Sequence, residues 1–308
     1  MGINSANHST LITSESWRSR IAYHEERVSF WVKDRRIRAG VGKKHPVYDF
    51  IFDYYSFRPS QLLRWSPGVG HILCDATQSS FAGAHEFTPC SSTPSSQGIF
   101  LDAMTFPEHR IKFLKWALTY LKTIHQRPAQ LGCFGLHEWA MLYKAEKPRH
   151  TSVPLRIAAS TINEVCENLQ IRCSHYDAFR FFTEEAAPLN IRKLSRETTT
   201  DTDQPGCIHV TMDLYRYAYK IAPFSSAELI ADSFALAVKA REIDMRASPY
   251  DLSSFGFTPI AIETTTGRAI YVEKQRELMD QATSIRVRLI SEYQNLLELR
   301  SDSHAHTS

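Results

Sequence analysis

In this 308-residue chain His137, His175 and His209 each stand close upstream of an acid, Glu138, Asp177 and Asp213 respectively. Helical oxidases and hydrolases bind iron, manganese or zinc with imidazoles and carboxylates drawn from facing helices. His137, His175 and His209 are therefore candidate metal ligands, although no H-E-x-x-H or E-x-x-H pair occurs. His209 and Asp213 lie one turn apart on one helical face.

Helical geometry at about 100° per residue sorts the acids further. If "LGCFGLHEWAMLYK" (131–144) is a regular helix, His137 lies on a wet edge beside Lys144. Glu138 then points about 100° away, among Met141, Leu142 and Ala145, so the two cannot share a task. A carboxylate among apolar neighbours must be paired, hydrogen-bonded or protonated. In "CIHVTMDLYRYAYK" (207–220), Arg216, His209, Lys220 and Asp213 fall within a stripe about 60° wide. That stripe is either a narrow exposed strip or the polar wall of a pocket. In 225–247, Glu228, Lys239, Glu242 and Arg246 read as solvated. Asp244 faces the core, where it would hold Arg246 or the following turn. Asp244, Asp213 and Glu138 are thus the candidate catalytic carboxylates. Glu138 and Asp244 are expected to face one aromatic-lined cavity, with His137 at its rim.

Other chemistries find less. There is no G-x-S-x-G, no G-x-G-x-x-G and no Walker lysine, and Cys133, Cys173 and Cys207 carry no local sign of activation. The parts of a flipped-base pocket are present: aromatic faces to stack a base, a carboxylate to steady an oxocarbenium-like sugar, and cations for phosphates. Tyr54, Tyr55, Arg58, Trp65, Trp139 and Tyr215 would line it, with His175, Asp177, Arg180, His209 and Lys220 as polar contacts. "KDRRIRAGVGKK" (33–44) holds six basic residues and one acid. Arg35, Arg36, Lys43 and Lys44 in it are the candidate DNA contacts.

The elements that must position these groups read as helical. The fold class expected is mainly α: a single compact helical domain over 15–300 with a small β or irregular segment. Residues 1–14 and 301–308 are expected to be disordered. A helix from 15 should stop at Gly40. Another follows Pro107, striped by Ile111, Leu114, Leu118 and Leu121. A third opens on a Ser225/Glu228 capping box, and 268–300 forms one or two closing helices. Segments 70–106 and 256–266 are β-like or irregular, with loops at 88–98 and 196–206. The 43% hydrophobic and 22% charged residues are those of a globular protein. No long apolar run predicts a membrane span, and no signal peptide opens the chain. Six cysteines without a C-x-x-C pair read as reduced thiols of a cytoplasmic protein. Net charge is a mild +3, and no segment marks a protein partner.

"KKHPVYDFIFDYYSFRPSQLLRW", "LGCFGLHEWAMLYK", "IRCSHYDAFRFF", "QPGCIHVTMDLYRYAYK" and "REIDMRASPYDL" together resemble a bacterial family identified as 3-methyladenine DNA glycosylase, over roughly 17–295. "RWSPGVGH" (64–71) is similar to the hairpin of helix–hairpin–helix glycosylases, whose backbone amides bind a phosphate. The resemblance implies a base-excision enzyme that hydrolyses the N-glycosidic bond of alkylated adenine, with DNA as partner and no cofactor. The second reading is a metal-dependent helical oxidase or hydrolase acting on a small molecule.

Overall fold

The computed structural model describes residues 10–81, 86–93, 96–148 and 152–305. The architecture is mainly α, with one small sheet. β1 (Thr10–Ile12) leads into α1 (Ser14–Gly40), whose N-cap Thr13 accepts from the Ser16 amide and which ends at the expected glycine. α2 (Phe50–Tyr55) and α3 (Pro59–Leu62) follow, then β2 (His71–Cys74), β3 (Phe87–Thr93) and β4 (Ser96–Leu101). The sheet order is β1-β2-β4-β3. β1 runs parallel to β2, with Thr10 opposite His71, and the remaining pairs are antiparallel.

The rest is helical: α4 (Ile111–Gln126), α5 (Leu136–Ala140), α6 (Ala159–Asn168), α7 (Tyr176–Phe179), α8 (Thr199–Thr202), α9 (Ile208–Lys220), α10 (Ala227–Ala247) and α11 (Thr265–Ala305). The core is the hairpin of α9 and α10, with α11 packed against both and α4 packed against α11. α10 is buried on most of its circumference, and alanines 231, 237 and 240 let neighbours approach closely. α11 is a single helix of 41 residues. Near its end, Arg300 donates to the carbonyls of Ala103 and Phe106, both at 2.9 Å, tying it to the segment after β4.

Several expectations are corrected. Within the segments expected to be disordered, residues 10–12 form an edge strand of the sheet and α11 continues through Ala305. Residues 1–9 and 306–308 lie outside the described residues. The expected loop at 88–98 contributes strand residues of the β3–β4 hairpin, with Cys90 opposite Gly98. The expected loop at 196–206 contains the short α8. The N-cap of α10 is Ser226, one residue later than expected, with its Oγ accepting from Leu229 N. Glu228 instead takes Arg20 Nε at 2.8 Å and Trp65 Nε1 at 3.0 Å.

The segment resembling a phosphate-binding hairpin is internal. Ser66 to Val69 are buried, Val69 N donates to Phe224 O at 3.2 Å, and Gly68 N donates to Ser66 Oγ at 3.1 Å. Ser66 O accepts from Ala227 N at 2.8 Å. Those two amides are engaged with the protein itself, so the segment braces the α9–α10 turn. Gly68 has φ +79°, and a Cβ there would stand 3.0 Å from Ser226 N. Gly68→Ala is therefore expected to destabilise the fold by about 1–3 kcal/mol in urea unfolding. A midpoint unchanged from the native protein would show that the brace carries no strain-sensitive packing.

Candidate metal centre

The centre starts from Arg241 and Asp244, three residues apart on α10 and both buried. A guanidinium and a carboxylate removed from water require partners. Arg241 Nη1 donates to Asp244 Oδ2 at 2.5 Å and to Glu138 Oε1 at 2.7 Å. Its guanidinium also lies over the Phe50 ring, 3.9 Å from the centroid. Burial opposes the Arg241 charge, but Glu138 and Asp244 outweigh that and make it hold its proton more tightly than usual. The other Asp244 oxygen, Oδ1, stands 2.6 Å from His137 Nε2.

His137 and Glu138 reach one place because 131–144 is not a regular helix. α5 has five residues and starts at Gly135, with φ +68° there and +48° at Phe134. A Cβ on Gly135 would touch Tyr271 Cε2 at 3.4 Å and Ala247 Cβ at 3.5 Å, so the turn is seated against α11 and α10. Both expectations drawn from a regular helix fail for this reason: His137 is buried rather than at a wet rim, and the two side chains act on the same α10 pair. Glu138 and Asp244 do converge, but on a guanidinium rather than an aromatic-lined cavity.

α9 supplies the third donor. The His209 ring meets His137 edge-on, with centroids 4.4 Å apart, and lies parallel to His175 at 5.4 Å. Donor atoms of His137, His209 and Asp244 all fall within 4.8 Å of one another. Burial, together with His137, His175 and Arg241 nearby, holds His209 well below its ordinary pKa, so it is a neutral imidazole. No hydrogen bond is made by the His209 ring among the described residues.

His175 stands beside this triad, preceding α7. Its Nδ1 is 3.0 Å from Asp203 Oδ1, while Tyr120 Oη on α4 donates to Asp203 Oδ2 at 2.6 Å. Its Nε2 is buried without a hydrogen-bond partner. Burial pulls its pKa down, but the Asp203 charge and hydrogen bond prevail and raise it to about 9. A cavity of about 10 Å³ opens beside the imidazoles, lined among others by Cys133, His137, Cys173, Gln204, Cys207 and His209. All six cysteines are free thiols. Burial pushes the Cys173 thiol up to about 12, so it stays protonated.

The polar stripe of α9 is a buried wall in its first half. Asp213 is buried, which raises its pKa. It accepts from Tyr55 Oη at 2.7 Å and pairs with Arg216 at 3.5 Å. Arg216 also meets Asp177 at 3.4 Å, and Arg180 meets Asp177 at 3.2 Å. Tyr54 stacks on Phe50 at 5.2 Å, at the edge of the same region. Lys220 is eleven residues beyond His209, about 16 Å along the helix, with its ammonium 4.7 Å from the Phe113 centroid.

Other expected site residues belong elsewhere. Trp65 is buried against Arg20 and Glu228, and Trp139 is buried with Nε1 donating to Ala247 O at 2.9 Å. Tyr215 is a core ring packed on Phe234, and Arg58 is exposed ahead of α3. Part of the basic stretch is neutralised within the fold: Arg35 pairs with Asp53 at 2.7 Å, Arg38 with Asp49 at 2.5 Å, and Lys44 with Asp53 at 2.8 Å. Arg36 and Lys43 remain exposed without an ion pair among the described residues. Asp244 holds Arg241 rather than Arg246, whose partner is Glu242 at 3.0 Å. Sequence reasoning missed Arg241, Asp203 and Tyr120. The helical wheel that turned Asp244 inward puts Arg241 on the same buried side, so that signal was available.

Removing one member of the buried ion group strands the others. Arg241→Met is expected to cost about 3–5 kcal/mol in urea unfolding, and Glu138→Gln roughly 1–3 kcal/mol. Changes below 0.5 kcal/mol in both would show that the group does not hold the helices together. No protein-family model, no curated protein and no solved structure matches this chain, so the centre is read from its own geometry.

Proposed function

We propose that the protein is a metal-dependent enzyme, an oxidase or hydrolase acting on a small molecule, with His137, His209 and Asp244 as the ligands. The observation that carries this is the convergence of two imidazoles and one carboxylate, all buried, with donor atoms within 4.8 Å of one another. Two nitrogens and one oxygen suit iron, manganese or zinc and leave coordination positions open for substrate. A bound metal there supplies a Lewis acid beside the cavity.

The surrounding residues support that reading. Arg241 holds Asp244 Oδ2, which leaves Oδ1 turned to the histidines, as an outer partner orients a ligating carboxylate. His209 is in the neutral form that a metal requires. His175 stands outside the converging set, fixed by Asp203, and keeps its proton. It is therefore assigned as a positioning residue that offers its Nε2 proton toward the site, rather than as a ligand. The burial of Trp65, Trp139 and Tyr215 and the internal pairing of the basic stretch leave base excision resting on the family resemblance alone.

Protein reconstituted with Fe(II), Mn(II) or Zn(II) and desalted is expected to retain one equivalent of one of them by elemental analysis. His209→Ala and Asp244→Asn should drop that content at least tenfold, while His175→Gln should retain it. Chelation should lower the melting temperature of native protein and leave that of His209→Ala unchanged. Native protein that retains none of the three metals, with its melting temperature unaffected by them, overturns the assignment.

A further inference from the structure

α1 carries two apolar stripes, and the fold covers only one. Trp17, His24, Val28 and Val32 face the core. On the opposite side, Tyr23, Phe30 and Ile37 are spaced seven residues apart and are 65%, 58% and 67% exposed, with Val41 beyond them at 66%. Scattered exposed apolar residues are ordinary, but a heptad-spaced row of large ones along a single helix matches the seam by which helices pair.

The charges beside the row specify what covers it. Glu26 flanks it in the first half and Lys33 in the second, and neither makes an ion pair among the described residues. On the other flank, Arg27 is held by Asp232 at 2.6 Å and Asp34 by Arg38 at 3.9 Å, so Glu26 and Lys33 are the charges left to pair. In an antiparallel pair centred on Phe30, Tyr23 faces Ile37 of the second copy. Glu26 then approaches Lys33 of that copy, twice by symmetry. A parallel pair would instead set Glu26 beside Arg27 and Lys33 beside Asp34 of the second copy, two charges the fold already engages, and would leave Glu26 and Lys33 apart. We infer that α1 is a self-association surface, on which a second copy of this chain packs antiparallel through Tyr23, Phe30 and Ile37.

A contact between two single helices sits at the small end of interface sizes, so the dissociation constant should be on the order of 10 µM. Sedimentation equilibrium over a concentration series spanning that value tests this with the full chain. The native protein is expected to follow a monomer–dimer equilibrium. Phe30→Asp should weaken it more than tenfold with an unchanged circular dichroism spectrum. Glu26→Lys alone should also weaken it, and Glu26→Lys combined with Lys33→Glu should restore it. A native protein that stays monomeric throughout overturns the inference, as does a dimer indifferent to Phe30→Asp. A double charge reversal that fails to restore association rejects the antiparallel pairing. A monomer that instead sediments with phosphatidylserine vesicles assigns the stripe to an anionic membrane surface and also overturns it. None of these outcomes depends on metal content.

Discussion

A buried guanidinium that must be compensated organises this molecule. Arg241 lies on the most enclosed helix, where an isolated charge would be untenable. It recruits one carboxylate from its own helix and another from α5, and the second of these forces the α5 turn into the core. His137 arrives with Glu138 because the two are adjacent in sequence. The triad is thus a consequence of electrostatic compensation as much as of ligand placement: the group that holds α5 against α10 also turns Asp244 toward the imidazoles.

Polar contacts extend from that pair across the core. Asp244 touches His137, whose ring meets His209; His209 stacks on His175, which is held by Asp203, which accepts from Tyr120. This line crosses α10, α5, α9 and α4 and sits where an all-apolar core would pack more simply. Within it the environments of the imidazoles diverge. His209 is kept neutral by burial and cationic neighbours, whereas His175 keeps its proton through Asp203. Titratable groups driven apart in this way mark functional sites in proteins generally.

Much of this was legible from spacing. The helical wheel turned Asp244 inward and grouped His209 with Asp213 on a single face, and both acids are buried there. The long helices and their limits near Gly40 and after Pro107 also followed from glycine, proline and apolar periodicity. The failures occur where the backbone leaves regular geometry. Phe134 is a non-glycine residue at positive φ, which no periodicity anticipates, and it makes a single turn of 136–140 where a long helix was expected. Asp203 and Tyr120 escaped because their relevance depends on contacts 28 and 83 residues away in sequence. The glycine-rich 67–70 segment shows the converse: a motif-like string whose amides turn out to serve packing.

α11 gives the assembly of this centre an order in time. Gln275 on α11 donates to Gly206 O at 2.6 Å, three residues before His209, and Tyr293 donates to Tyr217 O at 2.9 Å on α9. Those contacts cannot form until the last described helix has left the ribosome. The His137–Asp244 contact itself closes 107 residues of chain. Such long-range closures are slow relative to local helix formation, because chain entropy is lost before the contacts compensate. The segments bearing the donors are therefore locked in place on one side only when α11 packs against them, although every donor precedes α11 in the chain.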